Sequence, residues 1–298
     1  MQYNYQVKTK EAGFSVEKIL RQSLGFSRSM VRKLKNTNGV LVNGQASHLN
    51  RPVQEGDLLS IDLHTGKATP VLPQPIPLDI VYEDKHLLAV NKPYHMLVHP
   101  LKKEPLNTLA NAVLYHYLQN GIEPVYRPVS RLDRDTSGLV VVAKHAHAGH
   151  LLTTQLGEGK LVREYLAVVH GLLANTRGTI DQPLARCPLS YIRQTVQPGG
   201  KRAVTHYQVE KHLADSTLVK LRLETGRTHQ IRAHMSHIGH PLLGDTLYGG
   251  REEGINRQAL HCWRISMLHP LTNKPLVLQA SLPVDMQKLL QLSTAPET

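Results

Sequence analysis

The sequence predicts an α+β protein, with a main domain on a mixed, largely antiparallel β-sheet with flanking helices, and a small α/β module at the N-terminus. Predicted strands outnumber predicted helices and follow one another in runs, which does not suit regular βαβ winding. A stretch with four prolines at 65–77 separates two regions of different pattern. Hydrophobic residues make up 41% of the chain and are spread along it, so both regions can form a packed core.

The region before the proline-rich stretch is expected to contain two short helices followed by strands. Apolar residues at helical spacing predict one helix around 16–20, and a second that begins at the capping residue Ser27 and buries a stripe within 30–34. An Asn-Gly pair at 43–44 after an apolar run predicts a tight hairpin, and a strand is expected at 58–63. These elements form a compact α-then-β module.

The second predicted helix carries a basic face. Arg28, Arg32 and Lys35 recur at spacings of four and three, roughly opposite the apolar stripe. An ordinary solvated helix surface would look the same, but the absence of interleaved acids favours contact with RNA phosphates. The pieces SRSMVRKLK, VLVNG and VQEGDLL, in this order, resemble the S4 RNA-binding module over about 13–63. We therefore expect an S4-like module at 13–64, a linker at 65–77 and a catalytic domain at 78–298.

The region after the linker is expected to supply the large sheet. Alternating and continuous apolar runs predict its strands, and apolar residues at helical spacing predict its helices. The predicted strands lie at 78–84, 86–93, 139–143, 161–171, 203–210, 217–223, 258–266 and 276–281. Helices are expected at about 109–117 and 147–156, and a third is expected to begin at a Thr228 cap and to end at Gly239.

Charge and composition narrow the class of function. The formal net charge is +12, which points to a polyanionic partner, with nucleic acid the leading candidate. Only two cysteines are present, which excludes a disulfide framework and a cysteine zinc site. The longest apolar stretch is far below the roughly 20 residues that cross a bilayer, and the N-terminus lacks the apolar centre of a signal peptide. We expect a cytoplasmic protein.

Polar chemistry is densest in the segment SRLDRDTSG at 130–138, directly before an apolar strand. Loops at the end of a rigid strand often carry catalytic groups, because the sheet fixes them while the loop leaves them accessible. Two carboxylates, Asp133 and Asp135, and two arginines could equally form a structural salt-bridge turn. From this segment alone, both interpretations stay open.

A second polar cluster, TGRTHQIRAH, occupies 225–234. Arg227 could bind RNA phosphate or close a local ion pair. Arg232, one turn into the predicted helix, is better placed to hold a buried carboxylate in its ionised form.

The ordered blocks RLDRDTSGL, REYLAVVHG, GKRAVTHYQV, ETGRTHQIRAHM, GHPLLGDTLYGG and RQALH resemble the RluA family of pseudouridine synthases, over about 78–282. The resemblance implies that Asp133 is the catalytic aspartate, with Tyr165 as the active-site tyrosine and Arg232 as the arginine paired with the aspartate. It also implies that Arg131 helps to displace the target base. The expected substrate is RNA, with ribosomal RNA favoured by the S4-like module and transfer RNA still open.

This reaction breaks the bond between ribose and uracil N1, turns the base and rejoins it through C5, so no cofactor is expected. An aspartyl-phosphate enzyme is a poorer interpretation of Asp133, because residues 128–132 are a poor buried strand and no later acidic pair for Mg²⁺ stands out. A protein that only binds RNA would have no use for Asp133, Tyr165 and Arg232 together. The histidines lack Cys or carboxylate partners at short range, so no metal is expected.

Overall fold

The structure, a computed structural model, describes residues 1–64 and 68–292, and contains a small N-terminal sheet and a large mixed sheet. The α+β prediction is confirmed. Residues 65–67 of the predicted linker, and residues 293–298, lie outside the described part.

The N-terminal module is a four-stranded antiparallel sheet with a short 3₁₀ helix (Thr9–Glu11) and two longer helical segments. In sheet order the strands are β1 (Gln2–Gln6), β4 (Leu58–Asp62), β2 (Val40–Val42) and β3 (Gln45–Ala46). The first helix, α1 (Val16–Lys18), continues as a π-helical turn at Ile19–Ser23, and α2 spans Arg28–Asn36. Because β1 pairs along its whole length with β4, the module includes residues before the expected start at 13.

Local sequence explains both predicted features of this module. The Ser27 hydroxyl accepts a hydrogen bond from the Met30 amide at 3.3 Å, which caps α2 as expected. Asn43 and Gly44 both have positive φ, 52° and 80°, as a tight hairpin turn between β2 and β3 requires. The apolar side of α2 packs into the module core, and Arg28, Arg32 and Lys35 are exposed.

The large sheet has nine strands. Their sheet order is β5 (Ile80–Glu83), β6 (Leu87–Lys92), β7 (Ser137–Ala143), β14 (Leu260–Leu268), β8 (Val162–His170), β13 (Ser216–Leu223), β12 (Val204–His212) and β9 (Arg177–Asp181), with β15 (Pro275–Gln279) also paired to β14. Among the paired strands of 68–292, only β7 and β14 run parallel. A separate hairpin joins β10 (Leu184–Arg186) to β11 (Gln194–Val196).

Four helices belong to the large domain within the described residues: α3 (Leu109–Gln119), α4 (Ala146–Gly157), α5 (Gln230–His237) and α6 (Val284–Leu292). All seven residues of β7 are buried, so both faces of the sheet are covered at its middle. The main core combines strands β6, β7, β8 and β13 with the inner side of α3.

The described part of the predicted linker lies along the large domain. It contains no helix or strand between 68 and 77. The Thr69 amide donates to the Pro124 carbonyl at 3.0 Å, and the Gln74 amide donates to the Asn111 carbonyl of α3 at 3.0 Å. These contacts fix the path of the chain from residue 69 onward.

The N-terminal module contacts the large domain at α4. The Phe26 ring stacks on the His147 ring with centroids 3.7 Å apart and planes 16° apart. Burial lowers the pKa of His147 to about 4, so this ring is neutral at pH 7 and stacks as an apolar surface.

Within 1–64 and 68–292, no helix is both long and apolar enough to cross a bilayer. The same residues contain no group of three or more His, Cys, Asp or Glu side chains arranged to hold a metal ion.

Candidate active site

The loop that carries Asp133 is fixed where it enters β7. Gly138 has φ of +113°, and a Cβ atom there would lie 2.3 Å from the Cys262 carbonyl oxygen of β14. The close parallel pairing of β7 with β14 therefore requires glycine at this position. One residue earlier, the Ser137 hydroxyl and His261 Nδ1 are 2.9 Å apart in the buried interior. The strand that follows the Asp133 loop thus has one position relative to β14.

Lys92, at the end of β6, ties two loops together. Its ammonium donates to the carbonyl oxygens of Pro93, Met96 and Arg134 at 2.8, 2.8 and 3.0 Å. Burial lowers the pKa of Lys92 to about 7, and the charges of Asp135 and Asp133 oppose that shift. The Lys92 side chain has no exposed surface, so its N–H groups act only as donors to backbone carbonyls.

Arg257 fixes the same loop from the C-terminal side. Its Nη1 donates to the Asp135 carbonyl at 3.0 Å. Its Nε and Nη2 donate to the two carboxylate oxygens of Asp285 in α6, at 2.7 and 3.0 Å. The loop is therefore held by backbone contacts from both sides, which leaves the Asp133 side chain free to face the site.

Asp133 faces Arg232, as the sequence predicted, but at a long distance. Arg232 Nη1 lies 3.5 Å from Asp133 Oδ2. The principal partner of Arg232 is Asp245, whose two oxygens accept from Nε and Nη2 at 2.7 and 2.8 Å. Burial works to lower the pKa of Arg232, but the hydrogen bonds and charge of Asp245 outweigh it and raise that pKa. A bidentate carboxylate thus fixes the guanidinium, with one nitrogen left to aim at Asp133.

Two further rings border Asp133. His229 Nε2 lies 3.9 Å from Asp133 Oδ2, and His229 Nδ1 lies 3.1 Å from the Tyr248 hydroxyl. Burial lowers the pKa of His229, while the charge of Asp133 opposes the shift. The Tyr248 ring lies against the Arg232 guanidinium at 4.9 Å.

The predicted Thr228 cap is wrong. Helix α5 is preceded by His229 as its N-cap, in a left-handed conformation with φ of 53°. The Gln230 side chain accepts from the Arg227 amide at 3.0 Å and from the Thr225 hydroxyl at 2.8 Å. A side chain inside the helix thus fixes the preceding turn, and the turn directs His229 toward Asp133.

Tyr165 lies on β8 opposite Cys262 of β14 and is only 4% exposed. Burial raises its pKa, and the nearby Asp133 charge raises it further, so the phenol keeps its proton at neutral pH. Burial raises the pKa of the Cys262 thiol to about 12, which makes this cysteine unsuitable as a nucleophile.

The structure brings Asp133 and Arg232 together, and Tyr165 lies close enough for the Asp133 charge to raise the pKa of its phenol. The other predicted residues make no contact with Asp133 in the described structure. Arg131 is exposed, two positions from Asp133. Arg227 is also exposed, and its Nε donates to the Arg202 carbonyl at 3.0 Å. The basic face of α2 belongs to the N-terminal module, whose core is separate from the main core that contains Tyr165.

The resemblance marked Lys92 as the start of a further family block without giving it a role, and sequence reasoning missed the supporting residues His229, Asp245 and Tyr248. One signal was present for Asp245, a lone acid in the otherwise uncharged run PLLGDTLYGG. The site thus contains three chemical groups: the Asp133 carboxylate, whose side chain is 28% exposed, the fixed guanidinium of Arg232 and the protonated phenol of Tyr165. Such a set can use the carboxylate as a nucleophile or a base beside a flat apolar ring.

Replacing Lys92 with Met should misplace the catalytic loop while the core remains folded. Methionine fills similar space but leaves three carbonyl oxygens without their donor. Because a displacement of about 1 Å can reduce a rate on the order of 10²-fold, kcat should fall by about that factor. Affinity for RNA should change little, since Lys92 is buried. Steady-state kinetics and filter binding would measure both. A Lys92→Met protein with unchanged kcat would contradict a positioning role for this lysine.

Comparison with known proteins gives two family matches. Residues 86–237 match the RNA pseudouridylate synthase family, and residues 3–59 match the N-terminal domain of the ribosomal pseudouridine synthase RluD. The second match begins within β1, in accord with the pairing of β1 in the module sheet.

Individual relatives are similar over nearly the whole chain. YjbO of Bacillus subtilis, named an uncharacterized RNA pseudouridine synthase, is 44% identical over 90% of this chain and 95% of its own length. Ribosomal large subunit pseudouridine synthase D of Yersinia pestis is 40% identical over 89% of this chain and 86% of its own. Among solved structures, human RNA pseudouridylate synthase domain containing 1 superposes with a TM-score of 0.56 at 25% identity, covering 74% of this chain and 97% of that one.

Proposed function

Because the chain belongs to the RluA family of RNA pseudouridine synthases, we propose that it isomerises specific uridines of ribosomal RNA to pseudouridine through Asp133. The ribosomal substrate is supported by the similarity to large subunit synthases and by the match of the N-terminal module to the RluD N-terminal domain. The single observation that carries the catalytic assignment is the approach of Arg232 Nη1 to Asp133 Oδ2 at 3.5 Å.

Asp133, Arg232 and Tyr165 are proposed to have different roles, which follow from the chemistry of their side chains. Asp133 supplies an accessible carboxylate as nucleophile or base, and the Arg232 cation lies 3.5 Å from one of its oxygens. Tyr165 supplies a ring face for the uracil and a protonated hydroxyl near the reacting carbon. No step in this scheme transfers electrons or phosphate, so these side chains suffice without a cofactor.

Arg131 is proposed to help displace the target base. A uridine inside stacked RNA exposes neither of its reacting atoms, so it must leave the stack before the reaction. Arg131 is exposed two positions before Asp133, and its side chain is long enough to occupy the position that the base vacates. Arg227, exposed and bound through Nε to backbone, is proposed to contact the RNA phosphates nearby.

The function is tested with RNA that contains no pseudouridine. Transcripts of large subunit ribosomal RNA, small subunit ribosomal RNA and a transfer RNA pool, made in vitro, are incubated with the purified protein. Carbodiimide labelling and primer extension then locate each pseudouridine. We expect product at discrete positions of large subunit RNA. Product in transfer RNA alone would contradict the ribosomal assignment, and no product in any transcript would contradict the function as a whole.

Changing Arg28, Arg32 and Lys35 together to Ala should weaken RNA binding without altering the chemical step. The three side chains are exposed on α2, which is folded around a separate core. If each contacts one phosphate, the slope of log affinity against log salt should decrease by roughly 2 to 3.

The matched control removes three exposed lysines of the large domain, Lys85, Lys274 and Lys288, and so keeps the net charge equal. The single-turnover rate at saturating protein should stay near that of the unaltered protein in both triple variants. An equal loss of salt slope in both variants would contradict a specific RNA contact by α2.

A further inference from the structure

Strand β1 lies at one end of the N-terminal sheet, and among the described strands it pairs with β4 alone. Its five residues, QYNYQ, contain no charge and no proline. The register against β4 runs from Gln2 to Gln6 without a bulge. Charges, prolines and bulges are the usual protection of a sheet edge, because free backbone groups there can pair with another chain. The edge of β1 has none of these three, so it can accept a further strand.

Every second residue of β1 directs its backbone groups away from β4. The Leu63 amide donates to the Met1 carbonyl at 2.9 Å, so Met1 faces β4. Because the residues of an antiparallel ladder face alternate sides, Gln2, Asn4 and Gln6 face outward. In the described part of the chain, no segment outside β4 donates to or accepts from the backbone of these three residues. Their amides and carbonyls form the free edge.

The conformation of β1 is fixed on the side that faces the module core. Tyr3 and Tyr5 pack against the apolar cluster of the module. The Tyr5 hydroxyl lies 2.9 and 2.7 Å from the two carboxylate oxygens of Glu11, to which it donates. The alternate side chains of the strand are exposed on the other face. An edge that is already ordered loses little conformational entropy when a partner binds.

The sequence of β1 reads the same in both directions. If two copies of this strand pair antiparallel about a two-fold axis beside Asn4, Asn4 of one copy faces Asn4 of the other. Gln2 then faces Gln6, and Tyr3 faces Tyr5. Each cross-strand pair joins two uncharged residues of the same type, so no charge repulsion arises, and the tyrosine pairs add aromatic contacts. The same register places the outward backbone groups of the two strands opposite each other.

We propose that two copies of this chain associate through β1, antiparallel about a two-fold axis beside Asn4, and so join their N-terminal sheets edge to edge. Each outward residue of one copy donates to and accepts from one residue of the other. The axis is perpendicular to the sheet, so the faces that carry α2 lie on the same side of the pair. The basic faces of both modules are therefore presented together. This inference is independent of the proposed function.

Sedimentation velocity of the whole chain over a dilution series tests the contact. A single strand edge buries less than the roughly 1,200–2,000 Å² of a stable interface, so the dimer should dissociate on dilution. Asn4→Pro removes an outward amide from each copy and should weaken the association by about tenfold or more. The bonds between β1 and β4 do not use this amide, and circular dichroism checks the fold. Asn4→Thr keeps the amide and suits a strand, so its dimer should persist.

An exchange of charge tests the register. Asn4→Lys places two like charges directly opposite each other and should weaken the dimer by about threefold, and Asn4→Glu should do the same. An equimolar mixture of these two variants should form mixed dimers in preference to either dimer alone. Gln2→Lys adds the same charge to the same strand but faces Gln6 of the other copy. Its dimer should dissociate at nearly the same concentration as that of the unaltered protein.

Three results would overturn the proposal. The first is an unaltered chain that stays monomeric at every concentration. The second is a dimer that is weakened equally by Asn4→Lys and Gln2→Lys and gains nothing in the mixture, since the contact would then lie elsewhere or in another register. The third is growth beyond two copies, because a two-fold contact closes at two. If Asn4→Pro fails to fold, the exchange of charge still decides the outcome.

Discussion

Replacing Asp133 with Asn should abolish turnover while fold and RNA affinity survive. The substitution keeps the size of the side chain and most of its hydrogen bonding but removes the charge and the nucleophile. Asp133 is partly exposed, with its backbone held by neighbours, so the loop should keep its path. Loss of a group that acts at the reacting atoms reduces the rate on the order of 10³-fold or more. The measurement is pseudouridine formed per minute on ribosomal RNA, with circular dichroism as the test of folding.

Asp135→Asn is the matched control for this prediction. Asp135 lies two residues away in the same loop, but its carboxylate pairs with His95 at 2.5 Å instead of Arg232. Its carbonyl, which Arg257 holds, is unaffected by the substitution. Asp135→Asn should therefore keep most of the activity. If folded Asp133→Asn is as active as Asp135→Asn, Asp133 is not the catalytic carboxylate and the loop is a structural turn.

Replacing Arg232 with Ala should reduce both activity and stability, which distinguishes it from Asp133→Asn. Asp245 is 1% exposed and would lose its only charged partner in the described structure. Breaking a buried ion pair by removing one member costs about 3–5 kcal/mol, because the other charge stays buried. Without Arg232, the Asp133 carboxylate also loses the guanidinium 3.5 Å from its Oδ2, so the rate should fall. Thermal unfolding and the rate of pseudouridine formation test the two effects separately.

A double variant separates the two roles of Arg232. In Arg232→Ala with Asp245→Ala, no buried charge is left unpaired, so the stability loss should be smaller than the sum of the two single losses. Activity should not recover, because Asp133 still lacks its cation. Additive losses of stability would show that Arg232 and Asp245 act independently, against the bidentate contact. Recovery of activity in the double variant would contradict a role for Arg232 at Asp133.

Much of the fold could be predicted from the spacing of apolar residues along the sequence. The predicted strands at 78–84, 86–93 and 161–171 correspond to β5, β6 and β8, because each carries a long apolar run. Strand β1 was missed, since its tyrosines are only half buried and its sequence QYNYQ resembles a polar loop. The two residues of β3 and the three-residue strands β10 and β11 are too short for a period to emerge.

The site was predictable only where a motif marked it. Asp133 and Arg232 were paired in advance, but the stronger partner of Arg232, Asp245, follows it by 13 residues with a turn between, and spacing does not reveal such a contact. The prediction that Thr228 caps α5 was wrong for a related reason. Local rules assign the cap to the nearest hydroxyl, whereas the Gln230 side chain competes for the same turn. Tertiary contacts decided both outcomes.

The parallel pairing of β7 with β14 has a consequence for the order of events during synthesis. The contacts that fix the catalytic loop join residues far apart in sequence: Asp133 and Arg232 are separated by 99 positions, Asp135 and Arg257 by 122, and Ser137 and His261 by 124. Arg257 is itself oriented by Asp285 in α6. Such non-local contacts form late, because long loops must close first. A nascent chain that has emerged only as far as β13 holds Asp133 and Tyr165 but lacks Arg232, β14 and α6. The enzyme can therefore act on RNA only after nearly all of its own chain has left the ribosome that makes it.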